Sequence, residues 1–466
     1  MTNLMLNNLS TIILILFIFS FLYTSFRQKV QNFEIVIISF GLVFAYLYRV
    51  VRVTSSESFI WIIIFPIIAF LYLILKGARG KISDLNSIDI LMTIFLIYGL
   101  LTTFLNIVIK QNIFLSFTKF SHFYLPIFFY FLTRIYLSRN KININLIIKV
   151  IYFLSGIIIL ETLIEYYFIV IIGNPDAIAW NSKFILSIAD NYNKPLDELY
   201  SDPKINFLTI GIFGHIKVIS MAIASLSFFY WGVVFAKIKN KPNGQARIIY
   251  DKFKFVNYFF IISSLSLIIL SRNTSVIITF FVIVLILLSF NISLRSFLIT
   301  SLIIIFLFYF FGNLLLIQYE IKFKPDIYGY SALNTIFDLN TLFYEYKINF
   351  FNSILGNYVL TNSTMRGGSL TELRLLMYPV YYGWLWTLVV LTIMTKLILY
   401  SRYIILKSFD RNYSIIGYGL LGYFLFVILD IHYPSFDRHG PYETFFIMAA
   451  LAVNIRNYIL INNVTK

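Results

Sequence analysis

A chain of 466 residues could hold three soluble domains, but this one is 59% hydrophobic and 12% charged, and apolar runs of about 18 residues or more recur along it. Continuous apolar runs exclude a water-soluble fold, and their lack of alternation excludes a closed β-barrel, which leaves a polytopic helical membrane protein. No cysteine is present, so disulfides, a thiolate nucleophile and cysteine–metal sites are excluded, and the formal charge of +16 has to be accounted for by where the cations sit.

Taken in order, the first run, "TIILILFIFSFLYTSF", has no basic residue before it and no small-residue cleavage pattern after it. It reads as a retained span rather than a removed signal peptide. The pattern predicts about thirteen spans (twelve to fourteen), roughly 8–26, 33–51, 58–75, 88–108, 117–137, 146–172, 214–236, 257–271, 275–290, 296–318, 375–395, 413–430 and 443–460. The clusters Lys76/Arg79/Lys81, Arg134/Arg139/Lys141, Lys237/Lys239/Lys241 and Arg402/Lys407/Arg411 then share one side, which is the cytoplasm by the positive-inside rule. That side carries 22 basic and 5 acidic residues, against 15 and 16 on the other. Nearly all of the excess charge is therefore a topology signal, and no nucleic-acid partner is needed to explain it.

The N-terminus falls outside and the C-terminus inside, with Arg49 and Arg52 as the exception on the outer side. Residues 1–466 read as a single transmembrane domain with two long external loops, about 173–213 and 319–374. The second contains "SALNTIFDLNTLFYEYKINFFNSIL", whose apolar and aromatic spacing predicts short helices lying on the membrane surface. The two halves share neither breaks nor loop lengths, which argues against a transporter built from inverted repeats.

Polar residues inside or beside the apolar runs are expensive, so they mark candidate function. All of them map to the outer face. "SRNTS", residues 271–275, puts Arg272 at the tip of a tight hairpin, where it either snorkels to the interface or offers a fork of donors to a phosphate. "ETLIE" places Glu161 and Glu165 one turn apart on one helix face, so that face meets protein or a water-filled cavity. "GIFGHIKV", residues 211–218, brings His215 and Lys217 to the start of a span beside two glycines. "RGGSLTELRLLMYPVYYG", residues 366–383, supplies Arg366, Glu372 and Arg374. "DIHYPSFDRHGPYE", residues 430–443, holds His432, Arg438 and His439 between two hydrophobic spans; its prolines and glycine oppose a continuous helix, and two histidines without other ligands do not amount to a metal site.

These pieces in this order, over about residues 205–445, resemble the superfamily of O-antigen polymerases and O-antigen ligases, bacterial inner-membrane glycosyltransferases of the GT-C type. The resemblance implies a donor glycan and an acceptor glycan on undecaprenyl pyrophosphate, met at the periplasmic face, with no metal and no cofactor. It implies that Arg272, Arg366, Arg374 and Arg438 hold pyrophosphate and that His439 or His432 is the general base, with Glu372 as the runner-up. Glu161, Glu165, His215 and Lys217 would line the cavity. The lipid bilayer and a chain-length regulator protein are the implied partners. Polymerase is preferred; a ligase transferring chains to lipid A-core and, from a different class, a lipid-linked oligosaccharide flippase are the alternatives.

Overall fold

The computed structural model describes residues 85–110, 124–139, 144–167, 216–239, 254–270, 274–289, 383–408, 411–429 and 441–464, together with positions 38, 67, 70–75, 113, 116, 120 and 171. The described residues are helical almost throughout and include no strand. In chain order the helices are α1 (Ser87–Lys110), α2 (Ile127–Arg139), α3 (Ile144–Tyr166), α4 (Ile216–Lys239), α5 (Lys254–Leu270), α6 (Thr274–Ser289), α7 (Trp384–Lys407), α8 (Arg411–Leu429) and α9 (Pro441–Val464). Four of them contain stretches long and apolar enough to cross a membrane: Ser87–Leu105, Trp384–Lys407, Arg411–Leu429 and Glu443–Asn462. The chain is a membrane protein, helical almost throughout its described residues.

The helix ends follow local chemistry. The expected span 117–137 divides at Pro126: Phe120 is helical, Tyr124–Pro126 form a turn, and α2 begins at Ile127. Proline has no N–H to continue the ladder, and the Leu125 N–H instead bonds the Phe120 carbonyl at 3.3 Å. The expected span 375–395 is likewise shifted. Gly383 has a φ of 87°, a left-handed conformation that glycine adopts without strain, and α7 starts on the next residue. It then runs on through "TKLILYSRYIILK" to Lys407, so Arg402 and Lys407 belong to the helix rather than to a loop. Pro441 opens α9 at the first helical position, where its missing N–H costs nothing. The expected spans 8–26 and 296–318, both long loops, and Arg49 and Arg52 lie outside the described residues.

Two helices form the centre. Every residue of α9 from Glu443 to Ile455 is buried, and so is every residue of α8 from Ser414 to Phe424. α8 packs against α4, α7 and α6, while α9 packs against α2 and α7 and α1 packs against α7. The close approach of α4 and α8 rests on glycine. A Cβ on Gly419 would overlap the Phe229 ring, one on Gly422 would overlap Phe228, and one on Gly232 would meet the Ile415 carbonyl oxygen. Within a membrane, where lipid is as apolar as leucine, such backbone proximity is what makes helices adhere. Large apolar side chains left exposed, such as Ile97 and Phe104 on α1 and Phe255 and Ile262 on α5, are surface for lipid tails.

Candidate functional site

Residue pairings across the helices fix which ends lie together. Gly232 against Ile415, Phe229 against Gly419 and Phe228 against Gly422 make α4 and α8 antiparallel, so the start of α4 lies at the end of α8. Helical side chains lean toward the N-terminus of their own helix, so the Tyr152 hydroxyl donating to the Phe229 carbonyl at 2.9 Å while the Tyr230 hydroxyl donates to the Tyr152 carbonyl at 2.6 Å makes α3 antiparallel to α4. Tyr152 also lies 3.3 Å from Asn257 Oδ1, and a Cβ on Gly156 would touch Phe260, so α3 and α5 run parallel. Phe424 against Phe445 and Tyr413 against Tyr458 make α8 and α9 antiparallel. Gly417 against Ile404 and Ile405 does the same for α7 and α8.

Extended along each helix, these registers gather at one end of the bundle the close of α3, the start of α4, the α5–α6 connection, the start of α7 and the α8–α9 connection. Glu161 and Glu165 lie in the last turns of α3, and Lys217 is the second residue of α4. At about the depth of Glu165, α4 begins and α5 ends. His215 immediately precedes α4, Arg272 lies between α5 and α6, and His432, Arg438 and His439 lie between α8 and α9. Arg366, Glu372 and Arg374 precede Gly383. These eight residues lie outside the described residues, so the structure gives the backbone that leads to them and not their contacts.

Glu443 belongs to this end too, although the sequence pattern did not single it out for the site. It sits in the first turn of α9 and is 2% exposed. A carboxylate there complements the positive N-terminal end of the helix dipole. Its signal was an acid two residues after a proline at a helix start.

The opposite end carries a different construction, which the sequence reading missed. Asp89 and Arg134, each 2% exposed, form an ion pair of 2.8 Å between α1 and α2. Asp89 Oδ1 accepts from Arg134 Nε at 2.9 Å and from the Tyr130 hydroxyl at 2.6 Å. Asp89 Oδ2 accepts from Arg134 Nη2 at 2.8 Å and from the Asn86 N–H at 2.7 Å. Arg134 Nη1 donates to Asn454 Oδ1 of α9 at 2.6 Å. Asn86 in turn caps α1, its Oδ1 accepting from the Ile88 N–H at 3.2 Å and from the Tyr400 hydroxyl of α7 at 2.6 Å. Arg456 of α9 lies 4.4 Å from the centre of the Tyr400 ring.

Arg134 is thus not the free cation that its grouping with Arg139 and Lys141 implied. With four hydrogen bonds Asp89 has no lone pair left for a substrate, so the network joins helices rather than doing chemistry. Among the described residues, no three histidine, aspartate or glutamate side chains cluster as metal ligands.

No family model, curated protein or solved structure matches this chain.

Proposed function

We propose that the chain is a GT-C type glycan polymerase of a bacterial inner membrane, with about thirteen spans, which joins oligosaccharides carried on undecaprenyl pyrophosphate at the periplasmic face. The observation that carries this reading is the gathering of helix ends. The helix ends that lead into the stretches bearing the arginines and histidines, and the last turns of α3 that carry Glu161 and Glu165, lie at one end of the bundle. At the other end, α1, α2 and α9 are tied together by the buried Asp89–Arg134 pair and its bond to Asn454. Chemistry at one face suits a transferase better than a flippase, which needs a polar path reaching both sides.

In the proposed reaction an acceptor sugar hydroxyl attacks the anomeric carbon of the donor. The new carbon–oxygen bond forms as the bond to the pyrophosphate oxygen breaks, and undecaprenyl pyrophosphate leaves with the bonding electrons. His439 or His432 takes the hydroxyl proton, with Glu372 as the alternative base or as the partner that orients an arginine. Arg272, Arg366, Arg374 and Arg438 offset the charge growing on the leaving group. The sugar supplies its own activation through the pyrophosphate, so the scheme calls for neither cofactor nor metal.

The test is the lipopolysaccharide of a strain lacking the gene, followed by reconstitution with one defined lipid-linked repeat unit. A single repeat unit on the core, and polymer formation by the purified protein, support polymerase. Lipid-linked polymer that never reaches the core points to the ligase, and lipid-linked units held on the inner leaflet to the flippase. Full polymerisation by both His432→Ala and His439→Ala would sink the histidine assignment.

A further inference from the structure

The Lys407–Arg411 end of the bundle, opposite the proposed catalytic face and independent of that reading, has a half-buried guanidinium with one N–H left without an acceptor among the described residues. Arg411 is the first residue of α8, and its Nε is buried with no hydrogen-bond partner among the described residues. The contrast with the other guanidinium groups at this end is clear: Arg134 is paired with Asp89, and Arg456 has the Tyr400 ring and Asn457 Oδ1 at 3.2 Å. Ser414, three residues on and so on the same helix face, is 1% exposed, and its Oγ also lacks a partner. Helical Cα–Cβ bonds tilt toward the N-terminus, so both side chains lean toward the opening of α8, where the first-turn N–H groups have no intrahelical acceptor. A buried donor without an acceptor is rare in a folded protein and calls for a ligand or water.

The surroundings define the ligand. Tyr413 of α8 stacks on Tyr458 of α9 with ring centres 5.7 Å apart and planes 7° apart, and Tyr458 is 39% exposed. Tyrosines of this kind sit at the headgroup level of a bilayer. Lys407 in the last turn of α7 and Arg402 one turn and a half earlier are exposed on the same end. A helix N-terminus, a guanidinium and a hydroxyl at headgroup depth match a phosphate ester. We propose that Arg411, Ser414 and the first turn of α8 form a binding site for the phosphate of an anionic phospholipid.

The full chain is placed in nanodiscs of phosphatidylcholine alone or with a minority of phosphatidylglycerol, and retained lipid and melting temperature are read by native mass spectrometry and intrinsic fluorescence. Wild-type protein should retain phosphatidylglycerol and melt higher in its presence. Arg411→Gln should lower retention about tenfold or more while melting like wild type in pure phosphatidylcholine. Arg411→Lys, which keeps the charge without the fork, should fall between, and it carries the test if Arg411→Gln does not fold. Arg402→Gln is the control: an equal loss from it would mean diffuse attraction by the basic end and would overturn the site. Free glycerol phosphate raising the melting temperature in pure phosphatidylcholine would overturn the lipid assignment in favour of a soluble phosphate ester. No shift with either overturns the site altogether.

Discussion

Removing Asp89 should be far more damaging than removing Asp89 and Arg134 together. Asp89→Ala deletes the acceptor of four hydrogen bonds, two of them from a guanidinium that is 2% exposed. An uncompensated buried charge costs about 3–5 kcal/mol, or roughly a hundred- to several-thousand-fold in the folding equilibrium. Asp89→Leu with Arg134→Met replaces the pair by apolar groups of similar length, a change that is often neutral or stabilising. What remains lost are the bonds from the Asn86 N–H and the Tyr130 hydroxyl to Asp89 and the bond from Arg134 to Asn454, about 1 kcal/mol each. The two sites should therefore couple by about 2–4 kcal/mol. Unfolding of purified Asp89→Leu, Arg134→Met and their double variant in mixed micelles of a mild detergent with rising dodecyl sulfate, followed by tryptophan fluorescence, measures this cycle. A double variant as unstable as the sum of the two single ones would refute the reasoning, because the buried charges would then not depend on one another.

Three further outcomes are expected. Arg272→Lys should accumulate normally yet polymerise about 10- to 150-fold more slowly, because lysine keeps the charge and loses the two-oxygen fork; Arg272→Ala should be nearly inactive. Wild-type lipopolysaccharide ladders from both would make "SRNTS" an ordinary loop. Gly419→Leu should destabilise by about 1–3 kcal/mol or more in the same micelle assay, since Phe229 occupies the space of any Cβ there, and Phe229→Ala in the Gly419→Leu background should restore part of the loss. A Gly419→Leu protein as stable as wild type would mean that α4 and α8 do not touch at that point. The chain has no cysteine of its own, so single cysteines report sidedness directly. Ser271→Cys and Ser435→Cys should react with a membrane-impermeant maleimide from one side and Ser408→Cys from the other; labelling of all three from one side would invert the helix registers.

Much of the architecture was legible because a bilayer punishes exposed backbone and charge, and the sequence answers with long apolar runs. That rule alone foretells the helices around 88–108, 214–236, 257–271, 275–290, 413–430 and 443–460, each of which matches a helix with ends shifted by a few residues. Where runs were misjudged, one residue decided the matter. Pro126 removes an N–H and splits an apparent span, and Gly383 reaches a φ of 87° and delays α7 to Trp384. The candidate arginines and histidines were likewise visible as polar residues among hydrocarbon, which is a local signal. That they share one face followed from the alternation of the spans; which helix ends adjoin there was not legible, because it depends on α3, α4, α5 and α8 aligning through contacts such as Phe229 on Gly419. The Asp89–Arg134 pair shows the limit most clearly. Taken singly, each residue is a charge near the end of a span, indistinguishable from a topological anchor. Their partnership spans 45 residues, and the Asn454 that completes it is 320 from Arg134. Sequence fixes how costly each charge is in the membrane, while the packing of α1, α2 and α9 determines which other group offsets that cost.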